Sequence, residues 1–151
     1  MKPKETIDFH LRWLWLKIIR IYNTEAAKFG GTMSVGYILL NIDREGTPST
    51  KLGPKMGIES RSLTRTLKSM EERGLIYKTQ AESDGRLVLI HLTDEGVRYR
   101  DTSREVVLNL NEYLQGEIPD EKLQIFFEVS EQINTLLDNK RIFKEDNHPR
   151  V

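Results

Sequence analysis

The segment from Ser60 to Arg73 constrains the fold of this chain most, because it carries two different faces with the period of an α-helix. Leu63, Leu67 and Met70 recur at spacings of four and three and form an apolar face. The opposite face shares basic and hydroxyl side chains: Arg61, Thr64, Arg65 and Lys68. The pattern predicts a helix that packs on a core through one face and leaves the basic face open.

Such a helix suits the major groove of DNA, where arginine reads guanine edges and serine or threonine contacts bases or phosphates. Residues 51–78 hold seven basic and three acidic residues, a net charge of +4, within a chain whose 23 Lys and Arg balance 23 Asp and Glu. The alternative is a structural helix with a solvated charged face, since exposed Arg and Lys are ordinary. Under the first interpretation, the helix contacts DNA through Ser60, Arg61, Ser62, Thr64, Arg65 and Lys68.

The patterning after Gly74 changes from helical to strand-like. Residues 75–79 and 86–92 are apolar and β-branched in large part, and they flank a turn-rich tip at 81–85. This arrangement predicts a β-hairpin with a glycine-containing loop directly after the basic helix. The hairpin makes a solvated structural helix the weaker of the two interpretations.

Three further helices are predicted upstream. The first spans 6–28, the second spans 35–43 with Ser34 as its N-cap, and a short third helix follows a turn at 46–48. The order of helix, short helix, turn, helix and hairpin is that of a winged helix-turn-helix. We therefore predict a mainly α fold with a small β-hairpin wing.

Two helices are predicted downstream of the hairpin. Thr93 is the N-cap of a long helix that ends near Gly116, and Pro119 begins the last helix. The last helix is too apolar for one helix packed on a small domain, which predicts a dimer formed by the N- and C-terminal helices. An intramolecular core is the alternative. The residues in surplus are Phe126, Phe127, Leu136 and Leu137.

Four short motifs occur in order along residues 33–100. They are Ser60-Arg61-Ser62-Leu63-Thr64-Arg65, Met70-Glu71-Glu72-Arg73-Gly74-Leu75-Ile76, Asp84-Gly85-Arg86, and Leu92-Thr93-Asp94-Glu95-Gly96. Each is weak alone, but the combination resembles the MarR family of transcription regulators. The resemblance implies one domain over 1–151, with a DNA-binding lobe at 32–100 and dimerisation helices at 5–29 and 101–140.

The resemblance also implies roles for the wing. Arg86 would reach into the minor groove, a use of arginine that suits a narrow and negative groove. Asp84 would orient Arg86 or a basic neighbour, although Asp84-Gly85 is also an ordinary turn dipeptide. A symmetric dimer would place two basic helices about one DNA turn apart, so its operator would be a near-palindrome. The expected role is repression by occupying a promoter.

Two features remain: one departs from the family pattern, and the other concerns a binding site for an effector. Pro54, in the helix before the basic helix, should shorten or distort that helix. Many family members bind a small aromatic or anionic effector, and such a pocket here would be lined by His10, Trp13, Trp15 and Tyr22. An aromatic run on a helix is also ordinary core.

Several other functions are disfavoured by the sequence. The chain has no cysteine, which excludes disulfides, thiolate metal sites and the cysteine-based peroxide sensing of part of the family. Its three histidines lie far apart, and no catalytic or phosphate-cradling motif is found, so we predict no metal, no cofactor and no enzyme. We expect a cytoplasmic protein without a membrane span. The remaining rival is a winged helix used only for protein contacts.

Overall fold

The computed structural model describes residues 2–81 and 84–138, and of residues 3, 60, 81 and 84–86 the backbone alone. The fold is mainly helical with one small antiparallel sheet, as predicted. After a short 3-10 turn at Pro3–Glu5, the elements are α1 (Ile7–Ala27), α2 (Met33–Leu40), β1 (Thr47–Pro48), α3 (Ser49–Met56), α4 (Ser60–Glu72), β2 (Ile76–Ala81), β3 (Asp84–Leu92), α5 (Asp94–Glu117) and α6 (Asp120–Asp138).

The start of α2 differs from the prediction. Thr32, not Ser34, is the N-cap: its backbone is extended, and its hydroxyl accepts a hydrogen bond from the Val35 N–H at 3.3 Å. The helix accordingly begins at Met33 and ends at Leu40, two to three residues ahead of the predicted bounds. Thr32 and Ser34, two residues apart, offer equivalent caps in the sequence, and only the backbone geometry distinguishes them.

The predicted turn at 46–48 is partly a strand. Thr47 pairs with Ile90 and Pro48 with Leu89, which gives a three-stranded sheet in the order β1-β3-β2. A two-residue strand carries no periodic signal, and a proline is acceptable there because β1 lies at the edge of the sheet. Pro54 does not shorten α3, which continues to Met56 and ends at Gly57 in the left-handed conformation.

The core lies between α2, α3, α4, the sheet and the first turns of α5. The side chains of Leu63, Leu67 and Met70 on α4 are buried in it, as predicted. The largest fully buried side chains are Ile38, Leu39, Ile42, Leu52, Met70, Ile76 and Ile90. The chain divides into two compact units, Met1–Leu108 and Asn109–Val151, and this core belongs to the first.

The junction between the sheet and α5 explains the Leu-Thr-x-x-Gly motif. The Thr93 hydroxyl accepts from the Gly96 N–H at 3.0 Å and donates to the Gly74 carbonyl at 2.6 Å, so Thr93 is the N-cap, as predicted. Gly96 faces the backbone of Leu75: a Cβ there would lie 2.0 Å from the Leu75 carbonyl oxygen. The motif therefore holds the end of α4 against the start of α5.

Candidate nucleic-acid interface

Helix α4 presents the two faces that its sequence predicts. Leu63, Leu67 and Met70 are buried, whereas the residues on the other side are exposed to solvent. The helix ends at Glu72 with Arg73 as its C-cap, and Gly74 then takes the left-handed conformation. The exposed side chains are Arg61, Ser62, Thr64, Arg65 and Lys68; that of Ser60 lies outside the described residues.

Fewer basic side chains are unpaired than the net charge of residues 51–78 indicates. Lys68 pairs with Glu72 at 3.9 Å, Lys78 with Glu71 at 2.5 Å and Lys55 with Asp43 at 3.4 Å. Within the described part of the chain, by contrast, Arg61 and Arg65 have no ion-pair partner. Their charge is open to a partner such as phosphate.

The wing is the antiparallel pair of β2 and β3, with an irregularity between Gln80 and Ala81. The side chains of Asp84 and Arg86 lie outside the described residues, so their predicted roles stay predictions. Nearer the base of the wing, the His91 ring stacks on Tyr77 at 5.0 Å, and its Nε2 lies 2.9 Å from the Thr79 hydroxyl. These contacts tie the two strands together.

A loop between α1 and α2 contacts both α4 and α5. The Arg73 guanidinium donates to the Gly30 carbonyl oxygen at 2.9 Å. Gly31 lies against the buried Tyr99 ring, which also meets Phe29 edge-on at 5.6 Å. No local pattern in the sequence indicates this junction, because its members lie 43 or more residues apart.

A cavity of about 360 Å³ lies beside this loop, between α1, α2 and α5. Of the predicted pocket residues, Trp15 and Tyr22 line it. His10 and Trp13 are not among its lining residues, so their part in an effector pocket stays a prediction: the His10 Nε2 lies 2.8 Å from the Lys4 carbonyl oxygen, and Trp13 is exposed. Trp15 and Tyr22 are seven residues apart and share a helix face, whereas Trp13, two residues before Trp15, points elsewhere.

The described part of the chain offers neither a metal site nor a membrane-spanning helix. No group of three or more His, Asp or Glu among residues 2–81 and 84–138 could hold a metal ion. His10 and His91 are separate, and His148 lies outside the described residues. No described helix is long and apolar enough to cross a membrane.

A basic helix, packed on a core and followed by a two-stranded wing, defines the chain as a winged helix-turn-helix protein. The model of the MarR family matches residues 32–88, from the start of α2 into β3. The organic hydroperoxide resistance transcriptional regulator of Bacillus subtilis is 35% identical over 69 residues, which are 46% of this chain and 47% of the relative. The transcriptional regulator SarZ of Staphylococcus epidermidis is 34% identical over 82 residues, 53% of this chain and 55% of the relative. The chain thus spans about half the length of these curated relatives.

Solved structures extend the likeness over most of the chain. The S. aureus MepR–DNA complex superposes with a TM-score of 0.78 at 16% identity, covering 86% of this chain and 98% of that one. CouR from Rhodococcus jostii RHA1, bound to p-coumaroyl-CoA, gives 0.73 at 23% identity, with 96% and 99% covered. Residues 32–88 are thus similar to the MarR family model, and the fold of the chain is that of these winged helix-turn-helix structures.

Proposed function

We propose that this chain binds double-stranded DNA sequence-specifically and regulates transcription as a dimer. The observation that carries the proposal is α4, whose apolar face is buried while Arg61 and Arg65 are exposed and unpaired within the described part of the chain. Arginine in this position suits bidentate contacts to guanine. MepR, with the same fold, and a mutant E. coli MarR were both crystallised with DNA.

The wing completes the proposed interface. Strand β3 leads toward α5, and Arg86 lies on it, two residues after its first residue, Asp84. In the proposal Arg86 enters the minor groove while α4 occupies the adjacent major groove, and Asp84 orients Arg86. Residues 32–100 form the DNA-binding lobe in this arrangement.

Dimerisation is proposed through 5–29 and 101–140. Of the 19 residues of α6, none is buried, and Phe127 and Leu136 are 56% and 65% exposed. Helix α1 is similar: Ile7 and Trp15 are 59% and 51% exposed, and Ala26 is its one buried residue. Apolar surface on this scale marks an association site. A second copy of the chain would cover it and space two α4 helices for a near-palindromic operator.

The test is selection of bound fragments from random duplex DNA, followed by affinity measurements at two salt concentrations. We expect a near-palindrome with half-sites about one helical turn apart and affinity that falls steeply with salt. Arg65→Ala should weaken operator binding by about 1–3 kcal/mol, and Arg86→Ala should do the same. Arg98→Ala, an exposed arginine on α5 outside the proposed dimerisation segments, is the matched control.

The rival, a winged helix used only for protein contacts, gives a different result. It predicts no enriched sequence and equal, weak binding by Arg65→Ala and Arg98→Ala. If an operator is found, placing it over a promoter in a reporter strain tests repression, because a bound dimer would block polymerase. Activation of the reporter would refute the proposed repression, but it would not contradict the proposed DNA binding.

An effector site is proposed in the cavity between α1, α2 and α5. CouR, bound to p-coumaroyl-CoA, and PcaV from Streptomyces coelicolor, in complex with its natural ligand, share the fold. The loop that holds Gly30 and Gly31 borders the cavity through Phe29 and Thr32 and contacts α4 through Arg73. An occupied cavity would therefore act on the position of the DNA-contacting helix.

A further inference from the structure

We propose that Arg73 is a positioning residue, which holds α4 on the end of α1 and thereby limits the operator spacings that the dimer accepts. The inference rests on the proposed function and adds the residue that sets the distance between half-sites. The Arg73 guanidinium donates to the Gly30 carbonyl oxygen at 2.9 Å. Gly30 directly follows the proposed dimerisation segment 5–29, and Arg73 is the C-cap of α4. One hydrogen bond therefore joins the end of a dimerisation helix to the end of the DNA-contacting helix.

The acceptor of this bond is held by the end of α1. The Gly31 N–H donates to the Ala26 carbonyl oxygen at 2.9 Å, and the Gly30 N–H donates to the Ala27 carbonyl oxygen at 3.1 Å. Gly30 has a φ of 71°, so these bonds form a Schellman motif with glycine in its left-handed position. The motif holds the chain in one direction just past the helix, which fixes where the Gly30 carbonyl points.

The donor is held in the same way by the end of α4. The Leu75 N–H donates to the Met70 carbonyl oxygen at 2.9 Å, and the Gly74 N–H donates to the Glu71 carbonyl oxygen at 2.9 Å. Arg73 thus lies within a second Schellman motif. A cation is favoured near the C-terminus of a helix, and the Arg73 guanidinium lies near the C-termini of α4 and α1 together. The bond therefore joins two fixed backbone positions.

Helix α5 restricts the loop that carries the acceptor. A Cβ on Gly31 would lie 1.1 Å from the Tyr99 hydroxyl oxygen, and the Tyr99 side chain is buried. That hydroxyl has no hydrogen-bond partner among the described residues. Tyr99 therefore supports the loop by packing, whereas Arg73 supplies a directional contact from the loop to α4.

A second link between α1 and the DNA-binding lobe does not involve α4. The Asn23 Oδ1 accepts from the Met33 N–H at 3.0 Å, which joins α1 to the first residue of α2. This bond remains when Arg73 is replaced. Loss of the guanidinium should therefore loosen the end of α4 without detaching the lobe from α1.

The stiffness of this junction bears on operator spacing. One base pair added between the half-sites moves one of them by about 3.4 Å along the DNA axis and rotates it by about 35°. A rigid connection between α1 and α4 resists that displacement, and a loosened connection follows it more easily. Replacement of Arg73 should therefore reduce the penalty for a wrong spacing.

The experiment measures the affinity of the full chain for its selected operator and for operators with one base pair added to or removed from the spacer. The readout is the ratio of the Kd for the altered spacer to the Kd for the selected one. We expect Arg73→Met, which keeps the apolar stem, to lower this ratio about two- to tenfold, the range that one hydrogen bond supplies. The preferred half-site sequence should stay the same.

Two further variants separate the bond from the charge. Gly31→Ala displaces the loop from Tyr99 without removing a charge, and it should also lower the ratio. Arg98→Ala removes an exposed arginine of α5 that pairs with Glu95, and it should leave the ratio unchanged. Circular dichroism of each variant verifies that it is folded.

A direct contact between Arg73 and phosphate would give a different result. Arg73→Met would then weaken binding to every spacer equally and reduce the salt dependence of the affinity. That result, or an unchanged ratio at unchanged affinity, overturns the inference. A lowered ratio in Gly31→Ala alone would assign the positioning contact to Tyr99 and overturn the role of Arg73.

Failure of the inference and failure of the proposed function are distinguishable. A wild-type chain that selects no operator refutes both. A wild-type chain that selects an operator, with the same ratio in Arg73→Met, refutes the positioning role alone.

Discussion

Replacing Gly96 by alanine tests whether the close approach of α5 to the end of α4 is what requires glycine at this position. The added Cβ would lie 2.0 Å from the Leu75 carbonyl oxygen and 3.0 Å from its carbonyl carbon. Both are backbone atoms, so no side chain can rotate away. The helix must shift by more than an ångström to reach ordinary contact, and overpacking of this kind costs about 1–3 kcal/mol.

The same shift disturbs hydrogen bonds. The Leu75 carbonyl accepts from the Thr93 N–H at 3.2 Å, and the Thr93 hydroxyl bridges Gly74 and Gly96. Weakening one or two of these bonds adds about 0.5–1.5 kcal/mol each. We expect Gly96→Ala to lower the free energy of unfolding by about 3 kcal/mol, and the Tm by roughly 6–12 °C for a chain of this size.

Urea and thermal unfolding followed by circular dichroism measure the effect, at one fixed protein concentration because a dimer's stability depends on it. Gly116→Ala is the matched control: it lies in the same helix α5, and nothing would lie within 4 Å of its Cβ. Alanine there should be neutral or stabilising by up to about 1 kcal/mol. A Gly96→Ala protein within about 1 kcal/mol of the wild type would refute the argument from the Leu75 contact.

Three further predictions use the same unfolding assay or a measurement of mass. Thr93→Ala should cost about 1–2 kcal/mol through the lost N-cap and Thr93→Ser should recover most of it; equal losses would contradict a hydroxyl role. Arg73→Ala should cost about 1 kcal/mol through the lost bond to Gly30, whereas Arg98→Ala, which breaks an exposed ion pair, should cost under about 0.5 kcal/mol. Phe127→Glu should shift the chain from dimer to monomer in sedimentation at micromolar concentration, and an unchanged dimer would place the interface elsewhere.

Much of the fold was predictable because its signals are local. The spacing of Leu63, Leu67 and Met70 identifies the buried face of α4, and Gly74 marks its end. The Thr93 cap was likewise predictable, since Thr93 and Gly96, whose N–H donates a hydrogen bond to the Thr93 hydroxyl, are three residues apart. These features depend on residues within one or two helical turns, where the period of the backbone fixes which side chains are neighbours.

The candidate site was predictable only in part. The sequence identified Arg61 and Arg65, but it counted Lys55, Lys68 and Lys78 as equally available. Their partners differ in kind: the Lys68–Glu72 pair is local, whereas Lys55 meets Asp43 across 12 residues of chain. Charge counts along a chain do not register pairing in space, so the open basic surface is smaller than the net charge of its segment.

What the order of residues alone established is therefore the helix with two faces, the glycine that ends it, the Thr93 cap and the hairpin, because each depends on spacing within a short segment. The folded chain decided the rest. Only packing brings Arg73 to Gly30, places Gly96 against Leu75, adds Thr47 to the edge of the sheet and gathers uncharged residues from three helices around one cavity. These contacts join segments far apart in the chain, where local periodicity carries no information.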